Sequence, residues 1–256
     1  MDAEAYSVFL RRLLSRSPLG EQERDAIAEL HAAPERIGAN RDIVGPGEHR
    51  DHACLVVKGL AARFDQMRDG QRQIVAIYVP GDMCDLHSVP VDYTGWGLQT
   101  LAPSTITRIA HAELREAIAR CPDIGMAFWR DTVADGSILA KAVANVGRRR
   151  AQPRLAHLLC ELGVRMELAE LGTRTAYPLR ATQVHLADML GLTAVHLNRT
   201  FRKLKAEGVS MAAGEVRIES WDRLVEMAEF DPAYLLLPVE LARRFHAGPP
   251  AQHNSH

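Results

Sequence analysis

The spacing of hydrophobic and polar positions changes near residue 110, which divides the chain into two parts. From about 41 to 110, short apolar and β-branched runs such as "ACLVVKGLAARFDQM" and "RQIVAIYV" indicate strands. The turn "RDGQ" (68–71) carries the Asp-Gly pair typical of a β-hairpin, and "LQTLAPSTITRIA" gives two further strands broken at Pro103. Several short strands at close spacing predict a β-sandwich or barrel-like domain.

After residue 110 the pattern is helical. "AHAELREAIARC" fits one short helix, and Pro122 opens a longer one, because proline is tolerated in a first helical turn. An apolar stripe at spacings of three and four follows this longer helix. It comprises Ile138, Leu139, Ala142, Val143 and Val146. The stripe indicates either packing against the helix's own domain or pairing with a second copy, and the breaker-containing run "GRRRAQPR" (147–154) predicts a hinge or domain boundary.

The stretch from 182 to 204 holds two short helices joined by a tight turn. Thr182 is a good N-cap for the first, and Gly191 ends it, since glycine adopts the left-handed conformation readily. Thr193 then caps the second helix, in which Leu197 and Phe201 face inward. Two helices joined by three residues that include glycine are the signature of a helix-turn-helix.

The outer face of the second helix carries groups that suit DNA. Arginine can bind guanine and asparagine adenine with two hydrogen bonds each, and lysine neutralises phosphates. The segment "GVSMAAGEVRIESWDRL" then predicts a β-hairpin turning at Ala213-Gly214, as in a winged helix-turn-helix. The predicted DNA-binding residues are Thr182, Gln183, Thr193, Ala194, Val195, His196, Asn198, Arg199, Arg202 and Lys203.

Composition excludes several other classes. The net charge is -1, so a nucleic-acid partner has to be argued from local charge. The four cysteines have no CxxC spacing, which predicts no zinc or dithiol site and indicates reduced thiols. No apolar run is long enough to span a bilayer and the N-terminus lacks a cleavable signal, so a cytoplasmic protein without a membrane partner is expected. Neither a nucleophile elbow, a P-loop, a Rossmann fingerprint nor HExxH occurs, so no enzyme is predicted.

With "TQVHLADMLGLTAVHLNRTFRKLKAEGV" and "MRDGQRQIVAIYVPGD", the chain resembles the Crp/Fnr transcription regulators over about residues 20–225. The resemblance implies an α+β fold with an N-terminal β-roll (a double-stranded β-helix), a long dimerisation helix and a C-terminal winged helix-turn-helix. It further implies a homodimer that binds a palindromic promoter site and works with RNA polymerase. The expected divisions are a sensory domain 1–121, the long helix 122–147, the DNA-binding domain 148–230 and an extension 231–256 whose tail "GPPAQHNSH" is disordered.

The β-roll departs from the cyclic-nucleotide-binding members of that family. The segments "GDMCDLHS" (81–88) and "GLQT" (97–100) lack the glutamate and arginine that hold the phosphate, so cyclic AMP is not expected to bind. The N-terminal cysteine cluster of the oxygen-sensing branch is also missing. The candidate effector pocket comprises Gly81, Asp82, Cys84, His87 and Ser88.

The prediction for this pocket is that no cofactor and no metal binds. Two alternative sensory roles are open, namely haem ligation and thiol oxidation. His87 falls where the carbon-monoxide-sensing members carry a haem-ligating histidine, while Asp85 stands at their cysteine. Cys84 could be a redox-sensitive thiol. An alternative function is therefore a small-ligand sensor that acts mainly through protein contacts.

The recognition helix also departs from the family pattern. Val195 stands where several members use glutamate to read cytosine, whereas Arg199 matches their guanine-reading arginine. The expected half-site therefore differs from the family's usual one, and Val195 could touch a thymine methyl.

Overall fold

The β-roll predicted for the N-terminal part is present. The structure is a computed structural model that describes residues 3–91 and 93–247. The strands of this part are β1 (Pro34–Ile37), β2 (Asp42–Val44), β3 (His52–Lys58), β4 (Ala61–Gln66), β5 (Arg72–Tyr78), β6 (Gly97–Thr100) and β7 (Ser104–Ala110). They form two antiparallel sheets with the orders β1-β7-β3 and β2-β6-β4-β5. Apolar side chains alternate inward and fill the space between the sheets.

Glycine makes both tight turns along β4 possible. Gly70 has φ +84° in the β4–β5 hairpin, where the amide of Met67 donates to the carbonyl of Gln71 at 2.8 Å, and this confirms the predicted Asp-Gly turn. Gly59 has φ +87° between β3 and β4, and a Cβ there would lie 2.6 Å from the carbonyl oxygen of Pro103. A larger residue at 59 would therefore strain the backbone and clash with it.

Four helices cover the β-roll. They are α1 (Ala3–Leu14), α2 (Glu21–Ala28), α3 (His111–Arg120) and α4 (Pro122–Arg148). The last is the predicted long helix, with Pro122 in its first turn. Phe9 of α1 is fully buried and its ring centroid lies 5.9 Å from that of Phe128 on α4, so the chain start packs into the core.

The C-terminal part contains the winged helix-turn-helix. Its elements are α5 (Ala151–Leu168), β8 (Ala176–Pro178), α6 (Gln183–Met189), α7 (Ala194–Ala206), β9 (Val209–Ala212), β10 (Glu215–Ile218), α8 (Trp221–Ala228) and α9 (Val239–Arg243). Strands β8, β10 and β9 form one antiparallel sheet in that order. Leu159, Leu186, Leu197 and Leu204 are fully buried where α5, α6 and α7 meet. The tail "GPPAQHNSH" lies outside the described residues, and no helix within the described ranges could cross a membrane.

Buried ion pairs join the two parts. Asp82, at the end of β5, lies 2.5 Å from Nη2 of Arg165 on α5 and 3.1 Å from Nη1 of Arg12 on α1. Arg12 also binds Asp131 of α4 at 2.7 Å. Burial alone would raise the pKa of Asp82, but the two guanidinium groups hold it below its ordinary value. One carboxylate therefore ties the β-roll to α5, the first helix of the C-terminal part.

A second contact lies between β5 and α6. The backbone amide of Ile74 donates to the carboxylate of Asp188 at 3.2 Å, and the side chain of Gln73 donates to the Asp188 carbonyl. In addition, His185 Nε2 lies 2.8 Å from the side-chain oxygen of Asn40 in the β1–β2 turn. The first helix of the helix-turn-helix is therefore packed against the β-roll.

Candidate nucleic-acid interface

Two threonine caps and one glycine set the geometry of the helix-turn-helix. The hydroxyls of Thr182 and Thr193 accept the backbone amides of His185 and His196, each at 3.2 Å. Gly191 has φ +60°, and its amide donates to the carbonyl of Asp188 at 3.0 Å, which ends α6 as predicted. The two caps thus set the start of both helices, and Gly191 sets the end of the first.

The predicted recognition face of α7 is exposed. The exposed residues are Ala194, Val195, His196, Asn198, Arg199, Arg202 and Lys203. Val195 is 73% exposed, so its side chain is accessible to a partner. Among the described residues, no carboxylate pairs with Arg199, Arg202 or Lys203. Their charges are therefore available to an anionic partner such as the DNA backbone.

Asn198 is the one recognition residue already engaged. Its side-chain amide donates to the carbonyl of Ala194, one turn earlier, at 3.1 Å. The side-chain oxygen of Asn198 can still accept a hydrogen bond from a binding partner. Binding adenine through both groups would require this intrahelical bond to break, so Asn198 is a weaker candidate for base reading than Arg199.

The wing lies beside the recognition helix. Strands β9 and β10 pair from Val209 with Ile218 to Ala212 with Glu215, and Ala213 and Gly214 turn with φ of +51° and +77°. This confirms the predicted hairpin, and β8 extends it by a third strand that we had not predicted. A groove of about 240 Å³ runs between the wing and α7.

Residues from three elements line this groove. They are Gln183 of α6, Asn198, Phe201, Arg202 and Lys205 of α7, and Val209, Ser210, Met211 and Ala212 of the wing. The structure therefore brings Gln183 together with the recognition helix as predicted. It adds Ser210 and Met211, which could have been found only by placing β9 against α7.

Residues 153–227 match the family described as "Crp-like helix-turn-helix domain". The nitrogen fixation regulation protein FixK of Azorhizobium caulinodans is 24% identical over 213 residues, which cover 79% of this chain and 85% of that protein. The transcriptional activator protein FnrL of Cereibacter sphaeroides is 25% identical over 201 residues, covering 75% and 79%. The fold matches that of FixK2 from Bradyrhizobium japonicum with a TM-score of 0.69 and 22% identity, over 77% of this chain and 98% of that one.

Residues 153–227 are therefore similar to a Crp-like helix-turn-helix domain, and the chain is similar to transcription regulators along most of its length. The matched segment coincides with the winged helix-turn-helix, and the similar regulators match along most of their own length.

The predicted effector residues do not surround one common cavity. Asp82 lines a cavity of about 20 Å³, which is too small for a nucleotide, and its carboxylate already binds Arg12 and Arg165. The Ser88 hydroxyl lies 2.9 Å from Nε2 of His111. Gly81 faces α1, where a Cβ would lie 2.6 Å from the carbonyl oxygen of Val8. These three residues of the β-roll are therefore used in its own packing.

His87 and Cys84 lie around Arg63, a cation of β4 that the sequence reasoning missed. Arg63 Nη2 donates to the Cys84 carbonyl at 2.9 Å and to Asp135 of α4 at 2.8 Å, and lies 3.3 Å from Nδ1 of His87. The guanidinium also lies over the Trp96 ring, 5.1 Å from its centroid. Burial, together with neighbouring Arg63, lowers the pKa of His87 to about 3, so this imidazole is neutral at physiological pH.

The long helix divides the predicted dimerisation stripe between two environments. Ile138 is 4% exposed and packs in the core of its own protomer. Leu139 and Ala142 are half-buried against the same protomer. Val143 and Val146 are exposed, at 74% and 37%. Periodicity alone did not distinguish the face toward the domain from the face toward a partner.

Proposed function

We propose that this protein is a cytoplasmic, homodimeric transcription regulator of the Crp/Fnr family that reads a palindromic promoter site and works with RNA polymerase. The observation that carries the proposal is the exposed face of α7, where three cations have no carboxylate partner among the described residues. The printed names of the relatives support it, since they are a regulation protein and a transcriptional activator. The resemblance to regulators also supports the absence of an enzymatic role.

The residues of α7 divide by their place along the helix. The N-terminal part of a recognition helix enters the major groove, so Val195 and Arg199 face base edges, where arginine can bind guanine and valine can touch a thymine methyl. Arg202 and Lys203 lie a turn further on and contact phosphates. Thr182 and Gln183 begin α6, whose amide groups suit a phosphate. Two such half-sites lie roughly 34 Å apart in a symmetric dimer.

An exposed heptad repeat of small and apolar residues on α4 supports the homodimer. It comprises Met126, Trp129, Val133, Gly136, Ala140 and Val143 of α4, and we name it the α4 face. Their spacing of three and four continues from 126 to 143, about five helical turns, and matches the seam of paired helices. Trp129 is 66% exposed, and an exposed tryptophan of this kind marks an interaction surface. Pairing two α4 faces buries these side chains.

The signal passes from the β-roll to α4 and the hinge. Arg63 of β4 binds Asp135 at 2.8 Å, so a change inside the β-roll acts directly on the long helix. At the other end, Arg154 donates to the carbonyls of Arg149 and Leu190 at 2.8 and 2.7 Å. The segment 147–154 therefore holds α4, α5 and the end of α6 together. Moving it changes the placement of two recognition helices, which is what a change in operator affinity requires.

No cofactor is part of this proposal. The space beside His87 is occupied by Arg63 and Trp96, whose ring centroid is 5.1 Å from that of the imidazole. A haem iron would need the buried Nε2 of His87, so Trp96 would have to move, and the residues present do not fit haem. Burial raises the pKa of the Cys84 thiol well above its ordinary value, which disfavours a reactive thiolate. The β-roll segments 81–88 and 97–100 contain no arginine that could hold the phosphate of cyclic AMP.

An electrophoretic shift on genomic fragments at two salt concentrations tests the proposal. We expect a sequence-selective shift that weakens at higher salt, because Lys and Arg release counterions from the phosphates. Lys203→Ala should weaken binding to all sequences and lower the salt slope by about one unit. Arg68→Ala, in the β4–β5 turn, is the matched control and should change neither the DNA affinity nor the salt slope. A wild-type protein that shifts no fragment would leave the alternative, a sensor acting through protein contacts.

A further inference from the structure

A cleft of about 750 Å³ lies between the β-roll and the DNA-binding domain, beside α1. Its apolar floor includes Val8 of α1, Val57 and Leu60 near the β3–β4 turn, and Met166 of α5. This volume is within the range of sites that hold small organic molecules. The α4 face and the residues around His87 do not line it, so it is a site separate from those described above.

The rim of this cleft is strongly cationic. Arg11, Arg36, Lys58 and Arg180 line it, against the single carboxylate of Glu4. Two of the four cations are already neutralised, since Arg11 binds Glu170 at 2.8 Å and Lys58 binds Glu4 at 2.9 Å.

The other two cations, Arg36 and Arg180, are available to a ligand. Across residues 3–91 and 93–247, neither has an ion pair or a side-chain hydrogen bond. They belong to different domains, because Arg36 lies on β1 whereas Arg180 lies between β8 and α6.

We propose that this cleft binds an organic anion with an apolar body, held by Arg36 from the β-roll and Arg180 from the DNA-binding domain. The guanidinium groups suit a carboxylate, sulfonate or phosphate, which they can bind with two parallel hydrogen bonds. Moving a ring or acyl chain from water onto the apolar floor contributes favourable binding free energy. A small inorganic anion would leave that floor unfilled, and a metal cation would be repelled by the rim.

Ligand binding at this position is coupled to the arrangement of the domains. Because one arginine comes from each side, the ligand binds most tightly when the two domains are docked as in this structure, with Asp188 against β5. A ligand shifts an equilibrium toward the state that it binds better. This part of the inference rests on the proposed function and assigns the signal site to the cleft, whereas binding itself does not require DNA.

Fluorescence titration of the full chain with anilinonaphthalene sulfonate tests the site, since this dye is an apolar body with one anionic group. Wild type should bind one dye per protomer. The double variant Arg36→Glu/Arg180→Glu should bind it about a hundredfold more weakly, from about tenfold for each lost charged contact. Both residues are exposed, so the variant should fold, and Arg68→Glu is the matched charge reversal outside the cleft.

Neutral phenylnaphthylamine distinguishes the contribution of the anionic group to binding from that of the apolar floor, because it has a similar apolar body without the sulfonate. Its binding should be much weaker than that of the sulfonate and unchanged by the two substitutions. Equal sulfonate binding by wild type and the double variant would overturn the proposal, as would loss of the dye signal in Trp129→Ala, which would place the dye on the α4 face. These outcomes are read without DNA, so they remain decisive if the protein fails to shift any fragment.

Discussion

Trp129→Ala should dissociate the proposed homodimer without unfolding the protomer. Trp129 is 66% exposed in the single chain and is the largest side chain of the α4 face. An aromatic side chain buries about 200 Å², so pairing covers roughly 130 Å² of Trp129 in each protomer, worth about 3 kcal/mol. Truncation acts in both copies, so the dimer loses about 3 to 6 kcal/mol, depending on how fully the ring is covered. Dissociation should be favoured by at least about a hundredfold.

Sedimentation velocity over a series of protein concentrations measures this effect. The wild type should sediment as a dimer at concentrations where Trp129→Ala is a monomer. Tyr93→Ala is the control, because Tyr93 is an aromatic residue of the β-roll that is 64% exposed in the same chain. An unchanged dimer constant in Trp129→Ala, or an equal loss in Tyr93→Ala, would refute the assignment of the interface to the α4 face.

Three further outcomes are expected. Burial lowers the pKa of His157 to about 3, so on acidification this histidine is protonated in the unfolded chain before it is protonated in the folded one. The stability that the neutral, buried His157 contributes is therefore fully present above about pH 6.5 and is lost as the pH falls toward 3. When the pH is lowered from 7.5 to 5, the free energy of unfolding in urea should fall by about 2 kcal/mol less for His157→Phe than for the wild type. Asp82→Asn leaves Arg12 and Arg165 without their shared carboxylate and should lower the free energy of unfolding by about 3 to 5 kcal/mol in the same assay. Calorimetry should detect no tight binding of cyclic AMP, and a micromolar dissociation constant would contradict that expectation.

Local sequence signals predicted the elements that depend on local physics. The caps at Thr182 and Thr193, the turn at Gly191 and the Asp-Gly hairpin at Gly70 each follow from the conformational preference of a few adjacent residues. The exposed cations of α7 followed from helical spacing, since the buried Leu197 fixes which side faces outward.

Contacts between distant residues were not predictable in this way. Asp82 binds Arg165, 83 positions away, and no periodicity along the chain joins them. Ile138 packs in its own domain, and periodicity did not indicate this, because a stripe at helical spacing can face either its own domain or a partner. The cleft between Arg36 and Arg180 exists only because two domains dock, so the sequence pattern carried no sign of it.

Binding-site selection from random DNA, with wild type and Arg199→Ala in parallel, tests the central claim most directly. Arg199 is exposed on α7 and has no carboxylate partner in the described residues, so its guanidinium is available to a guanine. We predict that wild type selects a palindrome with one guanine position per half-site that relaxes in Arg199→Ala, at a cost of about 1 to 3 kcal/mol. Lys203→Ala should return the wild-type consensus at lower affinity. Identical consensus sequences from wild type and Arg199→Ala would contradict the assignment of Arg199 as a base reader.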